Sequence, residues 1–128
     1  LVKEEAEAFD AVTCMEMLEH VPHPDRIIAA CAALLKPGGV AFFSTINRTL
    51  KAFAFAIVAG EYILGLLPRG THSYHKLIRP TEMRQWADAA GLEFNAVASL
   101  MYNPLKRTFR VAPNREDINY MACFSKKD

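Results

Sequence analysis

The run Met15-Glu16-Met17-Leu18-Glu19-His20 concentrates the groups most able to do chemistry. It follows the apolar, β-rich segment Phe9–Met15, so it falls where ligands bind in open α/β sheets, just past the carboxyl end of a strand. If it forms a helical turn, Glu16, Glu19 and His20 stand at i, i+3 and i+4 on one face. Two carboxylates and an imidazole can hold a divalent cation. His20 can instead take a proton itself, its ordinary pKa being about 6.5. The plainer alternative is that all three line a pocket and cap the turn.

Other polar groups lie at the ends of later elements. Ser44, Thr45 and Asn47 close a second apolar run, and Asn47 is the best candidate there for an active-site polar group, although Asn is also a common turn residue. Gly70-Thr71-His72 follows Pro68 in a loop, where a histidine is more often solvated than catalytic. Tyr102, before Asn103-Pro104, can stack on a ring or join the core.

These positions require strands and crossover helices. Phe9–Met15 and Val40–Thr45 read as buried parallel strands. Between them, Asp25 is a candidate cap for a helix carrying Ile27, Ile28, Cys31, Leu34 and Leu35, and Lys36-Pro37-Gly38-Gly39 stops it and turns into the next strand. Pro80-Thr81-Glu82 opens another helix that runs through Trp86 to Gly91. Leu92–Tyr102 and Asn119–Ser125 are further strands suited to an antiparallel pair, with a short strand at Thr108–Val111. The order β-α-β-α-α-β-β predicts an α/β fold in which parallel strands precede an antiparallel pair.

Ala52–Leu67 is apolar apart from Gly60, Glu61, Tyr62 and Gly65. It is shorter than the ~20 apolar residues that span a bilayer. Arg48 and Lys51 precede it, and Arg69, Lys76 and Arg79 follow. The segment is either a buried core helix or an interfacial lid on an anionic membrane, within an apolar and basic insertion over 49–79.

Several of these runs, taken together, resemble the ubiquinone-biosynthesis O-methyltransferase family: FDAVTCMEMLEHVPHP, LLKPGGVAFFSTINR, GEYILGLLPRGTHSYHKLIRP, LMYNP and INYM. GTHSYHKLIRP and the pairing of STINR with MYNP are the specific pieces; LEHV and LKPGG are shared by many class I methyltransferases. The resemblance implies the C-terminal half of a seven-stranded Rossmann-like sheet, with residues 1–128 a partial S-adenosylmethionine-dependent domain. The family's glycine-rich cofactor loop and the acid after its second strand have no match here. It implies S-adenosylmethionine as methyl donor and a polyprenylated quinol or catechol as acceptor. It also implies a magnesium-type site at Glu16, Glu19 and His20, and an acid–base or substrate role for His72. Met15 is core by its residue type, and only the resemblance places it against the cofactor's adenosine end. Other ubiquinone-biosynthesis proteins and an anionic membrane are the expected partners. The expected location is peripheral to the inner membrane on the cytoplasmic side in a bacterium, or on the matrix side in a mitochondrion. Rival readings are a methyltransferase with another small acceptor and a non-catalytic membrane-binding piece.

Bulk properties bound these readings. The 128 residues suffice for one core, and 52% hydrophobic with 23% charged is ordinary for a globular protein. Net charge is +1, so nothing points to nucleic acid. Charge is nonetheless segregated: residues 1–25 hold seven acids and one base, residues 26–81 seven bases and one acid. Cys14, Cys31 and Cys123 form no disulfide or zinc pattern and read as reduced thiols. The chain opens at Leu1-Val2 without an initiator Met, which suggests a piece of a longer protein.

Overall fold

The computed structural model describes residues 3–46, 77–103, 105–115 and 119–128, with Ile46 and Tyr102 by backbone only. Strand β1 is Phe9–Met15, followed by a 3-10 turn at Leu18–His20. Helix α1 is Pro24–Leu34, strand β2 Leu35–Ile46 and helix α2 Pro80–Ala89. Strands β3 (Leu92–Asn103), β4 (Thr108–Pro113) and β5 (Asn119–Lys126) complete a five-stranded sheet ordered β1-β2-β5-β3-β4. β1 and β2 are parallel, and β5 lies between β2 and β3, antiparallel to both. The chain therefore has the expected α/β character, with the short strand at 108–113 present as the outer half of a β3–β4 hairpin.

Register decides which side chains are buried. Cys14, Phe43, Ala122 and Val97 are successive partners across four strands and all face inward. Ile28 and Ala32 of α1 and Met83 and Ala87 of α2 complete that core, so both helices cover one face. Phe43 and Phe94 both meet Phe124 edge-on, with centroids 6.0 and 5.8 Å away. Each large apolar side chain buried here contributes about 1.5–3 kcal/mol. The next row, Met15, Ser44, Met121, Ala98 and Pro113, points to the opposite face because the pleat has a period of two.

Two local expectations are refined. Asp25 is not the cap of α1: His23 holds that position without a side-chain bond, Pro24 takes the first helical place, and Asp25 lies in the first turn, where its charge suits the helix dipole. Lys36–Gly39 does not precede β2 but bulges out of it, because Phe9 pairs with Leu35 whereas Ala11 pairs with Val40. Gly38 supplies the positive φ of 78°. A Cβ on Gly39 would stand 2.9 Å from the Lys36 carbonyl and 3.0 Å from that of Asp10, so close backbone approach requires glycine there. The motif is structural, as its residue types suggest. Gly91, φ 82°, ends α2 at the expected place.

Candidate functional site at the carboxyl end of the parallel strands

The run after β1 is built differently from a helical turn. Glu16 adopts a left-handed conformation, φ 51°, and only Leu18–His20 make a 3-10 turn. The three expected ligands therefore do not share a helix face. A non-glycine residue held there is strained by roughly 1–2 kcal/mol. Two hydrogen bonds offset that cost: the Glu16 N–H donates to the Ser44 carbonyl at 2.9 Å and to Ser44 Oγ at 3.1 Å. Strain supported in this way commonly marks functional positions.

Glu19 is 3% exposed, and Thr45 Oγ1 donates to its Oε2 at 2.8 Å. Ser44 and Thr45 point to opposite faces of β2, so one hydroxyl serves each glutamate and the two carboxyls meet over the strand end. Partial desolvation, then the charge of Glu19 and a hydrogen bond shared with it, push the Glu16 carboxyl up to about 7, while a bond from Ser44 pulls the other way. Glu16 as a whole residue is exposed. Its carboxyl is thus both reachable and poised to exchange a proton near neutrality, the condition for acid–base work. Beneath the pair, burial followed by the Glu19 charge raises the Cys14 thiol, and burial followed by Cys14 raises Cys31 to about 11, so both stay protonated.

His20 has its imidazole Nε2 3.9 Å from Glu19 Oε1, with the side chain 46% exposed. It is near the pair without belonging to a converging set. Among the described residues no cluster of three histidine, cysteine or acidic groups is arranged to hold a metal. Of the magnesium-type set that the resemblance implies, Glu16 and Glu19 meet at their carboxyls and His20 lies beside Glu19. Met15 is 46% exposed beside them, not core, and Met17 is exposed as well. Such polarisable side chains at the rim suit contact with a purine-like ring.

Asn47 and His72 lie outside the described residues, as does nearly all of the 49–79 insertion. Its described end is buried: Leu77 and Ile78 pack inward, and Tyr120 Oη donates to the Ile78 carbonyl at 2.9 Å. A cavity of about 210 Å³ opens between the 3-10 turn and α2, lined by Leu18, Val21, Leu77, Ile78 and Trp86 among others. It is smaller than usual ligand pockets, and neither Glu16 nor Glu19 lines it. Ser44 and Thr45, which sequence reasoning ranked below Asn47, are the strand-end hydroxyls that meet the two glutamates. The usable signal was register: parallel pairing of the two strands sets Ser44 opposite Met15.

A family model described as a methyltransferase domain matches residues 2–97, and the chain belongs to that family. Among curated relatives, the ubiquinone biosynthesis O-methyltransferase of a Coxiella burnetii strain is 50% identical over 98% of this chain and 53% of its own length. The protein of the same name from a Pseudomonas fluorescens strain is 54% identical over 94% of this chain and 52% of its own. The chain thus spans about half the length of the curated relatives it matches. A solved methyltransferase of Thermotoga maritima, described as S-adenosylmethionine-dependent and a possible histamine N-methyltransferase, aligns with 96% of this chain and 58% of its own. Its TM-score is 0.72 at 18% identity, a likeness of fold alone.

Proposed function

We propose that the protein to which this chain belongs transfers a methyl group from S-adenosylmethionine to a hydroxyl of a polyprenylated catechol in ubiquinone biosynthesis. The identity of one half or more to enzymes so named, over nearly the whole chain, carries the reading. The strand-end carboxylates support it. S-adenosylmethionine, when bound, supplies an electrophilic methyl group. Met15 and Met17, both exposed beside the pair, would hold its adenosine end. The Glu16–Glu19 pair accepts the phenolic proton at the Glu16 carboxyl. With Glu16 near 7, the gap to a phenol at about 10 is about three pK units, against nearly six for an ordinary carboxyl. Ser44 and Thr45 keep the two carboxyls together through that exchange.

A divalent cation, if bound, would be held by Glu16 and Glu19 with His20 beside them, and would take the place of the shared proton. The location we infer is peripheral to an anionic membrane, where the acceptor's tail resides. Among the described residues no helix is long and apolar enough to cross one.

The complete protein should methylate a short-tailed prenylated catechol with labelled methyl donor. Glu16→Gln and Glu19→Gln should each lower kcat by about 10²–10⁴ with little change in KM. Wild-type kcat should rise with pH through about 7, as Glu16 must be deprotonated to act. Undiminished turnover in both variants would remove the pair from the mechanism. Undiminished wild-type turnover in chelator would remove the metal.

A further inference from the structure

The turn after β1 faces two ways. Glu16 and Glu19 bring their carboxyls together over the end of β2. Leu18, between them in sequence, is 1% exposed and forms a wall of the cavity of about 210 Å³ that opens toward α2. Apart from Glu82, every described residue that lines this cavity is apolar. One short turn thus carries the acid–base pair and a wall of an apolar space.

The walls are fixed from several sides. The Tyr120 hydroxyl donates to the Ile78 carbonyl at 2.9 Å and so holds the wall that Ile78 forms. Tyr120 stands directly across the sheet from Thr45, whose hydroxyl holds Glu19. One cross-strand pair therefore anchors a carboxylate through one member and the cavity wall through the other. Pro22 and Pro24 stiffen the backbone on the α1 side, and Trp86 adds a rigid aromatic surface from α2. Walls braced in this way do not collapse into the space, and an empty apolar cavity lowers stability that a fitting guest restores.

Size and lining limit the guest. A dry apolar cavity of about 150 Å³ takes a benzene-sized molecule, so this one has room for a branched group of about five carbons and the bond that joins it to a ring. A nucleoside or an amino acid would strand its polar atoms against Leu18, Ile78 and Trp86.

We propose that this cavity is the subsite for the apolar branch of the acceptor, taking up the isoprene unit next to the ring while a ring hydroxyl meets Glu16. Leu18, Ile78 and Trp86 then determine specificity, since they tell a prenylated ring from a bare one. The inference rests on the methyl-transfer reading for its ligand and deepens it, but occupancy can be measured without catalysis.

Trp86 is the one tryptophan of this chain and reports occupancy directly. The probe is prenylbenzene, a ring with one isoprene unit and no hydroxyl to methylate. It should shift the emission of the complete protein saturably, in the part of the signal that Trp86→Phe removes. Val21→Phe, at a half-buried lining position, should fill the space and raise the Kd for prenylbenzene about thirtyfold. It should lower the ratio of kcat/KM for a prenylated catechol to that for bare catechol by about the same factor. Ile78→Val, a change of one methyl group, should lower that ratio about threefold and gives a second reading if the larger ring misfolds the turn. Trp86 emission that prenylbenzene leaves unmoved overturns the proposal, as does an unaltered ratio in both variants. Emission that responds to S-adenosylhomocysteine and not to prenylbenzene assigns the cavity to the cofactor and overturns it too. Saturable binding of prenylbenzene, weakened by Val21→Phe, in a protein that methylates no catechol would sink the enzymatic reading and leave the apolar subsite standing.

Discussion

The β1–α1–β2 unit and the β3–β4 hairpin use similar residues to opposite ends. Phe43 of β2 is fully buried beneath the helices, whereas Phe109 of β4 stands mostly in solvent. In the first region apolar burial leaves the polar groups with internal partners: Glu16 leans on Ser44 and Glu19 on Thr45. In the second, polar bonds brace the turn and leave the apolar groups outside. A buried phenylalanine reports on folding, whereas an exposed one contributes little to it.

The sharpest way to break that contrast is to truncate both rings. Phe43→Ala should cost about 3–5 kcal/mol of stability in chemical denaturation, and Phe109→Ala less than about 0.5 kcal/mol. Equal losses would place Phe109 in the core and undo the comparison. A smaller effect separates two glycines. Gly39→Ala drives a Cβ against two backbone carbonyls and should cost about 1–3 kcal/mol. Gly91→Ala meets open space and bears only the cost of its positive φ, about 1 kcal/mol.

An effect as small as that of Gly91→Ala concerns the glutamate pair. A carboxyl raised in the folded state binds more protons folded than unfolded, so its contribution is complete below the unfolded pKa near 4.5 and is lost as pH rises through about 7. Stability should decline by about 1 kcal/mol between pH ~5 and ~8, less than the full shift implies because Glu16 is exposed and screened. Glu16→Gln should flatten the profile. A flat wild-type profile would mean that the two carboxyls do not share a proton.

Much of this was legible from local pattern. The strands, Pro-initiated α1 and α2, and the stop at Gly91 follow from residue types whose backbone preferences act over a few positions. The strand-end location of Glu16, Glu19 and His20 was legible too, because a β-rich run ending in acids needs no distant partner to be recognised. What local pattern could not supply was register and facing. Helical spacing grouped Glu16, Glu19 and His20; the left-handed backbone at Glu16, supported by Ser44 from a different strand, separates them. Met15 reads as core by type and is exposed by position, since the pleat turns it to the face that neither helix covers. The insertion of β5 between β2 and β3 joins residues some eighty positions apart, and hydrogen bonding at that separation leaves no periodic trace in either strand. The composition of the chain determined that it would bury a core and carry acids past a strand end. Only tertiary pairing decided which hydroxyl serves which carboxylate and which phenylalanine remains outside, because both depend on what lies across the sheet, not along it.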